Sequence, residues 1–234
     1  MIELVRRYVL DSFKTVEDLS NVRVKRFKPP LQHDRRRSIK IAVVDDQPFA
    51  AGVNLRNLGY DIVEIGDLKK VSEIEDYPIV LCDLMDVGAH FDRVAQGASI
   101  IREIRRNYPA VLVAAYTGSA LTAEPVQRAR QYADDLIKKD AEIETWSDQL
   151  DKLISSATDI RLVWLRTRQA LIDEQVDTRT LLRLEDAYVR SLKLQDTDFK
   201  AVREAALSPT IGNAASNIVT NVISSVIFRL VMGG

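Results

Sequence analysis

The chain has a single cysteine, Cys82, in 234 residues. No intramolecular disulfide can form, so packing has to hold the fold, and a reducing, cytoplasmic compartment suits it. An excess of one charge sign is also missing. The formal net charge is −1, which gives no overall pull towards nucleic acid or an anionic membrane. The N-terminus lacks the apolar core and small-residue cleavage site of a secretory signal. No helix-turn-helix, zinc-finger or aromatic RNA-binding signature occurs, so no nucleic-acid module is expected. Repeats of solenoid length and low-complexity tracts are missing too. What is present is ordinary for a soluble globular protein: 46% hydrophobic and 29% charged residues.

The even balance hides a local asymmetry. Residues 1–40 hold eleven Lys/Arg against five Asp/Glu, whereas residues 209–234 hold one charge, Arg229. Residues 2–19 read as a short amphipathic helix. Residues 20–38 contain Pro29-Pro30 and Arg35-Arg36-Arg37 and read as a linker or extended arm, because proline removes donors and stiffens the chain. The organisation expected is therefore an N-terminal helix and basic linker over 1–38, an α/β domain over 39–155, and a helical C-terminal module over 156–234.

From residue 39 the pattern changes. Short apolar runs at 39–44, 60–65, 78–84, 110–118 and 134–139 alternate with helix-compatible stretches at 48–58, 67–75, 97–107 and 122–132. Strands alternating with helices predict a five-stranded, doubly wound parallel sheet with helices on both faces and right-handed crossovers. Beyond 155 only helices are expected. Residues 141–175 make one long helix or two. Asp177 or Thr178 caps the next, and Thr197 caps another that ends before Pro209.

The chemistry lies at the strand ends. Asp45 and Asp46 close the first run, Asp83 the third, Thr117 the fourth and Lys139 the fifth. In an open parallel sheet the carboxyl ends of the strands form the ligand crevice, so these side chains converge on one edge. Asp45, Asp46 and Asp83 supply hard oxygen ligands suited to Mg²⁺. The cation screens their mutual repulsion and polarises a phosphoryl group. Asp83 then serves as the nucleophile, while Thr117 and Lys139 each hold a phosphoryl oxygen. Phosphoryl transfer needs positioning and charge neutralisation above all, and this set supplies both.

VVDDQP (43–48), LCDL (81–84), YTG (116–118) and IKKD (137–140) resemble the signature segments of response-regulator receiver domains. GASIIREIRRNYP (97–109) resembles that family's third-helix segment. The likeness spans 39–155. It implies a flavodoxin-like receiver fold and a phosphoprotein of two-component signalling. In that reading Asp83 takes phosphate from a histidine kinase or phosphotransfer protein. The main-chain carbonyl of Met85 completes the Mg²⁺ site, and the family spacing from Thr117 selects Lys139 over Lys138. The chain also departs from the family. The stretch between Asp83 and Gly97 is several residues longer than usual and lacks the Met-Pro pair. The first helix is about one turn short. The switch aromatic is Leu136; Tyr116 is a substitute for it or simply packed.

Other residues read as structural. His90 belongs to a solvated loop near Asp86 and Asp92, and His33 to the surface. Cys82 packs as a small hydrophobe, and Trp146 and Trp164 anchor helices. Over 214–231 paired apolar residues recur every four positions. At 3.6 residues per turn such a stripe drifts by roughly 40° per repeat and winds round the helix. It fits a packed helix of a bundle or a homo-oligomer, a membrane-active helix, or a disordered tail. The sequence is therefore read first as a signalling protein, not an enzyme, in which Asp83 controls association of a helical module. The alternatives are a degenerate receiver used as a scaffold, a membrane effector acting through its last helix, and a fold-related hydrolase.

Overall fold

A computed structural model describes residues 13–19, 32–120, 122–208, 210–225 and 228. Five strands run as β1 (Lys40–Val44), β2 (Asp61–Glu64), β3 (Ile79–Asp83), β4 (Leu112–Thr117) and β5 (Asp135–Lys138). They form one sheet in the order β2-β1-β3-β4-β5 with every neighbouring pair parallel. This is the flavodoxin-like order, whose switch point lies between β1 and β3. The expected fold class is the one observed.

Period-two alternation divides the sheet's side chains between two cores. Helix α1 (Gln32–Ser38) precedes the sheet; α2 (Gly52–Asn57), α3 (Gly97–Asn107), α4 (Glu124–Arg130) and α5 (Ile143–Ala157) are interleaved with it. Ile41, Val43, Ile79, Leu81, Leu112 and Ala114 pack towards α2 and α5, against Leu55, Trp146 and Leu150. Ala42, Val44, Val80, Cys82, Val113 and Ala115 pack towards α3 and α4, against Ile100, Ile104 and Val126. The central strands β3 and β4 are buried along their whole length, which is why they read as continuous apolar runs.

A third core belongs to the helical region: α6 (Ile160–Asp173), α7 (Thr178–Leu194), α8 (Lys200–Ala206) and α9 (Asn213–Ser224). Trp164 stacks on Tyr188 with ring centroids 4.6 Å apart, and Phe199 and Phe228 meet at 4.9 Å. Ala215, Ile218, Val219, Val222 and Ile223 of α9 are buried in this core, while Ala214 is exposed. The period-four stripe therefore packs within its own chain as far as Ile223; its last two pairs, at 226–227 and 230–231, lie outside the described residues. Among the described residues no helix is long and apolar enough to cross a membrane. Val16 and Leu19 pack in the same core, and the Val16 N–H donates to the buried Glu185 Oε1 at 2.9 Å.

Several boundaries differ from expectation. The described part of the N-terminal segment holds a 3-10 turn at Val16–Leu19; residues 1–12 and 20–31 lie outside the described residues. The basic arm contains α1, because Arg36 is a structural residue. It pairs with Asp151 at 2.5 Å, donates to Ser147 Oγ at 3.0 Å and lies 4.6 Å from the centre of the Tyr60 ring. Residues 67–75 make only a 3-10 turn, Val71–Ile74. Residues 141–175 are two helices, broken where Asp159 caps α6 by accepting the N–H groups of Arg161 and Leu162. Asp177 caps α7. Thr197 caps nothing; Asp196 accepts the N–H groups of Asp198 and Lys200, and Phe199 takes the left-handed entry position before α8. Helix α9 stops at Ser224 because Ser225 is extended. His33 keeps a place in α1, with its side chain outside what is described.

Gly97 is where α3 meets the sheet. A Cβ on it would lie 1.9 Å from the Asp83 carbonyl oxygen. Gly97→Ala should therefore lower stability by about 1–3 kcal/mol, the usual cost of overpacking a filled space. A urea titration reads this as a lower midpoint at unchanged slope. An unshifted midpoint would mean that α3 backs away without cost.

Candidate functional site

Register sets the level at which side chains leave the sheet. Val44 pairs with Cys82, Asp83 with Tyr116, and Thr117 with Lys138. Asp45, Asp83, Thr117 and Lys139 therefore emerge together at the carboxyl edge. Alternation then sorts them. Asp45, Asp83, Tyr116 and Lys139 continue the α5-side rows of their strands, while Leu136 points to the α3 side and packs there.

The carboxylates of Asp45, Asp46 and Asp83 bring one oxygen each to within 4.8 Å of one another. Asp45 and Asp83 are buried, at 7% and 3% exposure, and Asp46 is exposed. Lys139 Nζ donates to Asp83 Oδ2 at 2.7 Å and lies 3.4 Å from Asp45 Oδ2. Asp83 Oδ1 accepts the Leu84 N–H at 2.7 Å. Asp45 Oδ1 accepts the Gln47 N–H at 2.9 Å. Lys138 turns away, donating to the Ser119 carbonyl. Thr117 is buried, and its Oγ1 accepts the Ser119 N–H at 3.1 Å. Met85 lies two residues past Asp83, with its side chain 38% exposed. Three hard carboxylate donors at this spacing fit a small divalent cation such as Mg²⁺.

Electrostatics follow from the crowding. Burial pushes the Asp83 carboxyl above its ordinary value, although Lys139 and the Leu84 N–H act in the other direction. Burial would lower Lys139, but the bond to Asp83 and the charges of Asp83 and Asp45 outweigh it, and its pKa is raised. Burial also drives the Cys82 thiol well up, with Asp83, Asp67 and Asp45 adding to it, and Cys82 packs in the core as a small hydrophobe, as expected.

Tyr116 is the feature that sequence reasoning left open. It is 1% exposed, and its hydroxyl donates to Asp45 Oδ2 at 2.6 Å. Burial, then the bond to Asp45, raises its pKa. Its ring contacts Phe49 and Trp146 at centroid distances of 5.4 and 5.9 Å, and Lys139 Nζ lies 5.3 Å from its centre. It is both packed and bonded to the site. The signal for this was its parity with Asp45 and Asp83.

The long stretch after Asp83 is folded inward. Leu84 and Val87 are fully buried, and Asp67 Oδ1 accepts the Gly88 N–H at 2.7 Å. Gly88 has φ 69°, and a Cβ there would meet Ile100 at 2.8 Å. His90 stands 3.8 Å from Asp67 with its side chain 44% exposed and meets the Phe91 ring at 4.4 Å.

No family model matches the chain, and no curated protein sequence does. Solved structures do. Over about half its length the chain is similar to receiver domains of response regulators. The receiver domain of a sensor histidine kinase from Pseudomonas aeruginosa, solved with a magnesium ion in its active-site cleft, is 26% identical, with a TM-score of 0.42, over 50% of this chain and 98% of that one. A CheY-like receiver protein from Methanospirillum hungatei is 17% identical, with a TM-score of 0.40, over 51% and 95%. A response regulator from Thermotoga maritima is 20% identical, with a TM-score of 0.39, over 50% and 98%.

The Lys139 ammonium is tested by pH. A carboxyl whose folded pKa is raised adds stability at low pH and loses it as pH climbs through that value. Removing the cation raises Asp83 further. Lys139→Met should therefore lose more thermal stability relative to wild type at about pH 8 than at about pH 5. Equal losses would show that Lys139 does not hold these carboxylates together.

Proposed function

We propose that this chain is a signalling protein whose sheet domain accepts a phosphoryl group on Asp83. The observation that carries the reading is the Asp83 carboxylate. It is buried at a strand end, bonded to Lys139 at 2.7 Å and clustered with two further carboxylates.

An Asp83 oxygen attacks phosphorus, and the donor's bond to phosphorus breaks with its electron pair leaving on the donor. For a histidine kinase or phosphotransfer protein the departing atom is an imidazole nitrogen. Lys139, already on Asp83 Oδ2, moves to an oxygen of the transferred group and keeps its charge partner. Thr117 uses a lone pair on Ser119, which leaves its O–H hydrogen to donate to a second oxygen. Asp45 is held for its part by Tyr116 and Gln47. Asp45, Asp46, Asp83 and the Met85 carbonyl would hold Mg²⁺, which supplies charge neutralisation for the phosphoryl oxygens when bound.

The helical region is read as the output, with its association with itself or a partner altered by phosphorylation. It meets the sheet domain beyond the C-terminal end of α3. There Asn221 donates to the Asn107 carbonyl at 3.1 Å and Arg166 to the Pro109 carbonyl at 3.2 Å. The stripe of α9 is covered by its own chain, so association through it requires undocking.

Acetyl phosphate with Mg²⁺ should add one phosphoryl group to the wild type and none to Asp83→Asn, by intact-mass spectrometry. Chelating the metal should abolish labelling. Beryllofluoride with Mg²⁺ should change the sedimentation coefficient of the wild type but not of Asp83→Asn. If the wild type takes no label, or both proteins label equally, the phosphoacceptor reading fails and a scaffold is left.

A further inference from the structure

A cavity of ≈ 590 Å³ opens between α3 and α6, where the sheet domain meets the helical region. Its lining includes four guanidinium groups: Arg102, Arg105 and Arg106 from α3, and Arg166 from α6. Tyr132 and Gln169 also line it, with two acids, Asp173 and Glu174. The volume lies within the range of about 300–1,000 Å³ typical of small-molecule sites.

The four cations are not equally matched. Arg105 is satisfied by Asp134 at 2.6 Å and the Tyr132 carbonyl at 3.1 Å. Arg106 has Glu174 at 3.5 Å. Asp173 is already an acceptor for Gln169 at 2.9 Å. Arg166 has no carboxylate at ion-pair distance among the described residues. Its Nε reaches a carbonyl at 3.2 Å, and its Nη2 is shut from solvent without a hydrogen-bond partner. Among the described residues Arg102 makes one ion pair, with its chain neighbour Glu103 at 3.8 Å, and its side chain is about half exposed. Burial lowers the pKa of Arg166; the charge of Asp134 acts against this, and the charge of Arg105 adds to it. A largely buried guanidinium with no carboxylate in direct contact is costly, and an anion beside it offsets that cost.

We propose that this groove binds a phosphate-bearing small molecule of nucleotide size. Guanidinium forks match phosphate oxygens in pairs, which assigns the phosphates to Arg102 and Arg166. The flat ring of Tyr132 offers a face for a base. The ligand touches α3 of the sheet domain and α6 of the helical region at once. The inference is independent of phosphorylation at Asp83.

Isothermal titration of the full chain, in chelator and at low salt, tests it with three probes: ATP, inorganic phosphate and adenosine. ATP should bind most tightly. Arg166→Gln and Arg102→Gln should each weaken it by at least about tenfold, the worth of one charge-assisted hydrogen bond. Arg102 is on the surface, so its variant separates lost binding from lost folding. Asp83→Asn should bind ATP as the wild type does, which distinguishes the groove from the acidic cluster. No binding of ATP, equal binding by the arginine variants, or adenosine binding as tightly as ATP would overturn the proposal. Inorganic phosphate matching ATP would overturn the nucleotide-sized occupant.

Discussion

One ammonium group governs the carboxyl edge of the sheet. Lys139 stands between Asp83 and Asp45, and these two share their cluster with a third carboxylate, Asp46. Three negative charges this close would drive one another apart or take up protons. Lys139 offsets that repulsion where it bridges Asp83 and Asp45. Its own position is fixed by the sheet: the Lys139 N–H donates to the Thr117 carbonyl at 3.0 Å, so the parallel ladder carries on one residue past β5. The ring of Tyr116 beneath it and the Tyr116 hydroxyl on Asp45 fix the remaining freedom.

The same edge is tied to the rest of the molecule through α3. Its first residue, Gly97, closes directly on the Asp83 backbone. Its last, Asn107, offers a carbonyl to α9 of the helical region. The helix has 11 residues, or about 16 Å at 1.5 Å per residue. A single rigid element thus touches the acidic cluster at one end and the helical core at the other, with the arginine groove along its flank.

Much of this was legible in the sequence, for identifiable reasons. Buried parallel strands appear as β-branched runs, so all five strands and their order of chemistry could be read. The residues at the strand tips followed from that. What could not be read depended on distant partners. Arg36 looks like part of a solvated basic run until Asp151 and Tyr60 are beside it. Tyr116 could be packed or polar, and only the register with Asp45 decides that it is both. Thr197 has the right chemistry for a cap, but Asp196 reaches the free N–H groups first. The stretch 84–96 looks open because its anchor, Asp67, lies on a different loop.

The contact between Val16 and Glu185 joins segments 169 residues apart. The sheet domain is in effect inserted between two pieces of one helical core. During synthesis the doubly wound sheet has all its strands once residue 138 has emerged. The other core must wait, because Val16 and Leu19 find their seat only after α7 is made. Until then Val16 and Leu19 lack the seat that covers them, although every strand of the sheet domain has been made.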